Sequence, residues 1–182
     1  MPSNRQTKIS KYLSYHLRHA PQELGLTLQP GGWVNITDLL TAASQDKYTI
    51  TRQELETIVA ESEKQRFAID PTGEKIRANQ GHSVTVDLKL EPMGPPAILY
   101  HGTAAQFVDQ ILESGLKKMA RHHVHLSADT RKAKDVGQRR GKPVIFQVDA
   151  AAMDAAGIIF YCSENGVWLT DHVPPEYLTP IV

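Results

Sequence analysis

Four cationic side chains stand at the ends of short motifs. Arg18 and His19 come just before Pro21, Arg77 lies in Ile76-Arg77-Ala78-Asn79-Gln80-Gly81-His82-Ser83, and Arg139 precedes Arg140 and Gly141. A phosphate monoester carries about 1.5 to 2 negative charges at neutral pH. A forked guanidinium meets it with bidentate, charge-assisted hydrogen bonds, each worth about 1.5–3 kcal/mol net. Three arginines and a histidine therefore suit gripping a terminal phosphate and stabilising charge as it moves. Taken singly, each arginine has an ordinary alternative, a surface ion pair or a solvated side chain. A second set is His101-Gly102-Thr103 and His125-Leu126-Ser127. Histidine and small hydroxyls can orient a ribose or an amide, and Gly102 would permit close backbone approach to a ligand. A histidine that merely satisfies a structural bond is the competing reading. The run Arg121-His122-His123-Val124-His125 invites a zinc interpretation, but no partner cysteines exist and the spacing matches no common ligand set. There is no Walker loop and no GxGxxG, and Cys162, in an apolar stretch, reads as core rather than nucleophile.

The chain that must position these residues has 182 amino acids, 41% apolar and 22% charged, an ordinary globular composition. It fits one large domain or two of about 90 residues. No apolar run approaches the roughly 20 residues of a membrane helix, and the opening MPSNRQTKISKYL has no apolar core of the secretory-signal kind. One cysteine cannot form an internal disulfide. A cytoplasmic, reducing setting is expected, with no membrane partner. Net charge is zero but segregated. Residues 1–21 carry Arg5, Lys8, Lys11 and Arg18 with no acid, residues 117–142 carry nine Lys or Arg against Asp129 and Asp135, and five acids but no Lys or Arg follow Lys142. Such a patch attracts phosphates whatever the total charge, although charge runs are also commonly just solvated faces.

Helical spacing of Ile9, Tyr12, Leu13, His16 and Leu17 predicts a helix over 8–19, ended by Pro21. Gly31-Gly32 predicts a turn before an extended Trp33-Val34. Thr37 or Asn35 can cap a second helix through Leu39, Leu40 and Ala43, and Thr51 with Glu54 forms a capping box for a third through Leu55, Ile58 and Val59. Phe67 to Ile69, the turn Asp70-Pro71-Thr72-Gly73 and Lys75 to Arg77 read as a hairpin. Three helices followed by a hairpin is the order of a winged helix. Val84, Val86 and Leu88 alternate as a further strand, and Glu91 to Pro96 reads as the linker. Beyond it, Ile98-Leu99-Tyr100 predicts a strand ending in His101-Gly102-Thr103. A helix through Phe107, Ile111 and Leu112 is stopped by Gly115. Val124 to Ser127 is strand-like, residues 129–136 form a basic helix, and strands are expected at 144–148, 158–161 and 167–169. Many short strands with two or three helices predict a compact α+β lobe.

Six motifs in this order, Leu17-Arg18-His19-Ala20-Pro21, Ile76 to Ser83, Leu99-Tyr100-His101-Gly102-Thr103, Val124-His125-Leu126-Ser127, Val136-Gly137-Gln138-Arg139 and Glu164-Asn165-Gly166-Val167-Trp168-Leu169-Thr170, make the chain resemble the RNA (tRNA) 2′-phosphotransferase family over nearly its whole length. The resemblance implies an α+β protein with an N-terminal winged-helix RNA lobe at 1–90, a linker at 91–96 and an ADP-ribosyltransferase-like split β-sheet lobe for NAD at 97–182. It implies NAD⁺ as co-substrate, no metal, and a monomer acting on RNA that bears an internal 2′-phosphate. In the implied reaction the 2′-phosphate attacks C1″ of the nicotinamide ribose and expels nicotinamide. The O2″ hydroxyl of the ADP-ribosylated RNA then attacks phosphorus, giving 2′-hydroxyl RNA and ADP-ribose 1″,2″-cyclic phosphate.

By motif, Arg18, His19, Arg77 and Arg139 would be catalytic, with His82, Ser83 and Arg140 as further phosphate or RNA contacts. His101, Gly102, Thr103, His125, Leu126, Ser127 and Val167 would line the NAD site. His101, His125 and Val167 match the His-His-Val signature of this branch of ADP-ribosyltransferases. Val167 stands where protein-modifying relatives usually carry Glu. The substitution makes physical sense: a phosphate nucleophile is already anionic, needs no base, and would be repelled by a carboxylate. Where many relatives read Arg-His-Gly this chain has Arg139-Arg140-Gly141, and Arg139 is the one expected to face the phosphate. Two other functions compete: an NAD-dependent ADP-ribosyltransferase that caps nucleic-acid terminal phosphates, which would leave a stable adduct, and a non-catalytic winged-helix binder, which would hold duplex DNA without NAD⁺ turnover.

Overall fold

The computed structural model describes residues 3–181 and divides into two compact units, Met1–Lys89 and Leu90–Val182. Both mix helices with small sheets, as an α+β class requires.

In the first unit, α1 (Asn4–Arg18) begins at a capping box in which the Ser3 hydroxyl accepts from the Gln6 N–H and Gln6 reaches back to Ser3. Its buried residues Ile9, Leu13, His16 and Leu17 form one face. Burial of each such leucine or isoleucine stabilises the unit by about 1.5–3 kcal/mol. A 3₁₀ turn, Pro21–Leu24, follows. Then come β1 (Val34–Asn35), α2 (Ile36–Gln45), α3 (Arg52–Glu61), β2 (Phe67–Ile69) and β3 (Lys75–Ala78). Asn35, not Thr37, caps α2, its Oδ1 accepting from the N–H groups of Thr37 and Asp38. Thr51 and Glu54 form the expected box on α3. The three strands make an antiparallel sheet in the order β1-β3-β2. Its residues Val34, Phe67 and Ile76 close one core with Leu13, Leu17, Ile36, Leu39 and Leu55.

No strand forms over Val84, Val86 and Leu88, contrary to expectation. Leu88 is buried as the alternation suggests, but β3 already has β1 on one edge and β2 on the other. The segment holds on by other bonds, among them the Gly31 N–H donating to the Asp87 carbonyl.

The second unit contains β4 (Ile98–Ala104), α4 (Val108–Ser114), β5 (Leu116–Lys117), β6 (Val124–Leu126), α5 (Thr130–Gly137), β7 (Pro143–Asp149), α6 (Ala150–Ala155), β8 (Phe160–Cys162), β9 (Trp168–Thr170), β10 (His172–Val173) and β11 (Leu178–Ile181). Two three-stranded antiparallel sheets, β11-β7-β4 and β6-β9-β8, stand beside a β10-β5 pair. The two sheets meet at one residue pair, Tyr100 and Ser127, which exchange backbone hydrogen bonds of 2.8 Å in both directions. Their shared core includes Leu99, Leu126, Phe146, Val148, Met153 and Phe160. The 91–96 stretch is more than a connector, since the Met93 N–H donates to the Phe160 carbonyl at 2.8 Å. β4 runs through His101-Gly102-Thr103, as expected, and one residue further to Ala104, paired with β7. The sequence reading had no counterpart for β5, α6, β10 or β11.

Candidate active site

In the first unit, motifs far apart in sequence are bonded into one cluster. The C-terminal carbonyl of α1, that of Arg18, accepts from the Ser83 N–H at 2.9 Å, satisfying a helix-end group that would otherwise lack a partner. The neighbouring ring of His19 shares a 2.9 Å hydrogen bond with the Ser83 hydroxyl through Nδ1. His82 is fully buried, its Nε2 close against Gly32. Gly31 and Gly32 both take left-handed backbone angles, φ 88° and 80°, which a side chain would oppose. Their turn presents the Gly31 carbonyl to Arg77, whose Nη1 donates at 3.4 Å. The Arg77 guanidinium lies over the Trp33 ring, 4.6 Å from its centroid, a cation–π contact worth about 0.5–2 kcal/mol. Ser83 thus joins Arg18 and His19 to the segment that carries His82 and Arg77, and the Gly31–Trp33 turn packs on His82 and orients Arg77 with a ring on its flat face. Trp33 is a positioning residue that sequence reasoning did not pick out.

In the second unit, His101 on β4 and His125 on β6 are joined across the sheet junction: His101 Nδ1 lies 3.0 Å from the His125 carbonyl oxygen. A carbonyl only accepts, so Nδ1 carries the proton and donates. Burial pushes this imidazole below its ordinary 6.5, outweighing the upward pull of that bond. His101 is therefore neutral at pH 7 and presents Nε2 as an acceptor, suited to a ribose hydroxyl. His125 Nδ1 faces Arg121 Nη1 at 3.4 Å. A guanidinium only donates, so this ring nitrogen accepts. Ser127 bonds the Asp129 carbonyl through its hydroxyl. Val167 immediately precedes β9, next to the Leu126–Trp168 pair, and its N–H donates to the Ser163 hydroxyl at 3.2 Å. The Leu126 side chain is buried in the core, so only its backbone is open to a ligand role.

Gly102 has a structural reason. An added Cβ there would overlap the Ala133 carbonyl oxygen of α5, and one at Gly137 would stand 2.6 Å from the Thr103 carbonyl oxygen. The close approach expected at Gly102 is thus made by helix α5 packed backbone-to-backbone on β4. That packing sets where the next turn begins, the 3₁₀ segment Gln138–Arg140. Arg139 and Arg140 are both exposed on it, and neither makes an ion pair or hydrogen bond among the described residues. Arg121 completes a trio: burial first, then Arg140 and Arg139, lower its pKa. Arg121 thus feels the charge of both exposed arginines, a concentration of positive charge of the kind that attracts anions. Arg121 went unnoticed in the sequence because it opens a histidine-rich run. Its spacing of four residues from His125, across a turn into β6, was the available signal.

Among the described residues, no group of three or more His, Cys, Asp or Glu is placed to hold a metal ion, and no helix is long and apolar enough to cross a membrane. Cys162 is half-buried on β8 and its thiol is pushed up by burial, which lowers its thiolate content.

The family model for RNA 2′-phosphotransferase, Tpt1 / KptA family, matches residues 4–172. Relatives named "Probable RNA 2′-phosphotransferase" include one from Nostoc punctiforme, 62% identical with all of both chains covered. Another, from Streptomyces griseus, is 51% identical with 98% of each chain covered. A third, from Pectobacterium carotovorum, is 46% identical with both chains covered in full. The chain belongs to the RNA 2′-phosphotransferase family.

Proposed function

We propose that this protein transfers an internal RNA 2′-phosphate to NAD⁺, releasing 2′-hydroxyl RNA, nicotinamide and ADP-ribose 1″,2″-cyclic phosphate. The observation that carries the reading is the first unit's cluster, in which Ser83 ties the end of α1 to the Arg77–Ser83 segment. Arg18, His19, Arg77 and Arg139 handle the 2′-phosphate, with His82, Ser83 and Arg140 in support. NAD⁺ is a co-substrate that supplies an electrophilic C1″ and a departing nicotinamide. The residues of the second unit fit such a ligand: a neutral His101 with an acceptor Nε2 beside His125 for ribose hydroxyls, and the guanidinium group of Arg121 for the pyrophosphate charge. Thr103, Ser127 and Val167 are assigned to the same ligand, and Gly102 and Leu126 hold their strands in place.

In the first step a 2′-phosphate oxygen bonds to C1″ and the C1″–nitrogen bond breaks. In the second, O2″ bonds to phosphorus, the RNA 2′-oxygen leaves, and the O2″ proton is passed to it. His19 is the group suited to moving that proton, because imidazole titrates near neutral pH. The arginines stabilise negative charge on the phosphoryl oxygens in both steps. Val167 leaves the nucleophile without a neighbouring carboxylate to repel it. In fold terms, three helices with the β1-β3-β2 sheet support a winged-helix reading of 1–90. Two sheets joined at the Tyr100–Ser127 pair support a split-sheet, ADP-ribosyltransferase-like reading of 97–182, with 91–96 leading into it. We read the protein as a cytoplasmic monomer that needs no metal.

The test is incubation with NAD⁺ and a short RNA carrying one internal 2′-phosphate, with identification of both products. Equal yields of nicotinamide and cyclic phosphate are expected. A stable ADP-ribosyl adduct without cyclic phosphate would establish a capping transferase instead.

A further inference from the structure

Helix α1 does more than end at Arg18 and His19. Opposite its buried face, Lys8, Lys11, Tyr15 and Arg18 follow at steps of three, four and three residues. This places them on one stripe about 15 Å long at 1.5 Å per residue. No carboxylate occurs in α1. Lys8 and Lys11 are exposed and make no ion pair or hydrogen bond among the described residues. Arg5, the helix's remaining cation, lies off the stripe and is held by the Glu54 carboxylate. Tyr15 is an aromatic ring left 48% exposed yet fixed in place. Its hydroxyl donates to Glu23 at 3.0 Å, its ring stands at 80° to the His16 ring with centroids 5.0 Å apart, and its centroid is 6.5 Å from that of His19.

An exposed aromatic ring set among lysines matches one ligand chemistry best. Single-stranded nucleic acid is bound by cations that track its phosphates and by rings on which unstacked bases lie. A duplex keeps its bases stacked and would leave Tyr15 without a use. A protein partner recognised by charge alone would not call for the ring. We infer that the stripe is a track for the single-stranded RNA flanking the 2′-phosphate, in which Lys8 and Lys11 hold backbone phosphates and Tyr15 stacks the base next to the phosphate delivered to Arg18 and His19. Glu23, the one carboxylate facing Tyr15, serves to hold the ring rather than the RNA. This inference rests on the proposed function and adds how the RNA strand is recognised.

The experiment compares a 2′-phosphorylated oligonucleotide with a 2′-phosphorylated mononucleotide as substrates of the full chain. In the wild type the oligonucleotide has the higher kcat/KM. Tyr15→Ala should cut that advantage about tenfold, in keeping with the usual worth of a stacked base, while Tyr15→Phe, which keeps the ring, should stay within about twofold. The pair Lys8→Ala and Lys11→Ala should raise the oligonucleotide KM. It should also lower the slope of log affinity against log salt by about one to two. Lys47→Gly, which removes one charge at an exposed position off the stripe with φ 61°, should leave both readings at wild-type values. A 2-aminopurine beside the 2′-phosphate should be quenched on binding by the wild type and by Tyr15→Phe but not by Tyr15→Ala. Stripe variants with wild-type substrate preference and salt slope would overturn the inference even though the enzyme is active. A wild type inactive on both substrates would instead defeat the functional reading beneath it.

Discussion

The two units handle their cations in opposite ways. In Met1–Lys89, His19 is hydrogen-bonded to Ser83, and Arg77 is held between the Trp33 ring and the Gly31 carbonyl. In Leu90–Val182, Arg139 and Arg140 follow a helix end on an exposed turn, burial first and then these two lower the pKa of Arg121, and the neighbouring His101 is kept neutral by burial. The first unit presents charges already oriented, which favours geometry-sensitive chemistry on a phosphate. The second concentrates positive charge whose mutual repulsion an anion would relieve, beside an uncharged hydrogen-bonding ring, which favours holding a charged cosubstrate. In the proposed reading, oriented phosphate chemistry belongs mainly to the first unit and capture of a charged cosubstrate mainly to the second.

Substitutions can break this contrast, beginning with the most severe. Gly102→Val should abolish folding of the second unit, because a side chain there runs into the α5 backbone rather than into a movable side chain. Overpacking ordinarily costs about 1–3 kcal/mol, and more where the surroundings cannot give way. Near-UV circular dichroism and thermal melts would check it. A well-folded Gly102→Val would mean that α5 does not rest on β4 as described.

Next in size, Arg77→Lys should lower kcat/KM at least about tenfold despite keeping the charge. An ammonium neither lies flat on Trp33 nor offers two parallel donors to a phosphate, and one charge-assisted hydrogen bond is worth about 1.5–3 kcal/mol. Steady-state kinetics with wild-type activity would reduce Arg77 to a point charge.

The mildest expectation concerns acid. The pKa values of His101 and His123 are both lowered from 6.5 by burial. The unfolded chain therefore takes up these protons first. The second unit's stability is full above about 6.5 and declines as pH falls through the lower folded values. In the first unit Glu54 is lowered from 4.5 to about 2, first by its hydrogen bond with Arg5. Its contribution is complete above 4.5 and is lost only as pH falls toward about 2. The chain's two tryptophans, Trp33 and Trp168, fall one in each unit. Fluorescence of Trp168→Phe should therefore report a lower acid midpoint than that of Trp33→Phe. Coincident midpoints would erase the difference.

Local signals in the chain were strong wherever the physics is local. The Thr51–Glu54 box, the Asp70–Gly73 hairpin turn and the Gly115 helix stop depend on neighbours in sequence, and each formed as read. Failures came where a distant partner decides. Val84, Val86 and Leu88 alternate like a strand but find both edges of β3 taken. β11 is masked by Pro180, tolerable because β11 is an edge strand. α6 is a short run of alanines with little periodicity, capped by Asp149. At the site, the motifs pointed to the histidines and arginines, but not to Trp33 beneath Arg77 or Arg121 beside His125, since neither stands next to its partner in sequence. Gly102 was legible as a close-approach residue, but not what approaches it.

The division of labour is tested most directly by titrating each substrate separately against Arg77→Ala and His101→Ala. The account predicts a crossed result. Arg77→Ala should lose 2′-phosphate removal with its apparent NAD⁺ affinity nearly intact, and His101→Ala should raise the KM for NAD⁺ about tenfold while leaving the KM for RNA near wild type. An unchanged NAD⁺ affinity in His101→Ala, or near-normal turnover in Arg77→Ala, would contradict it.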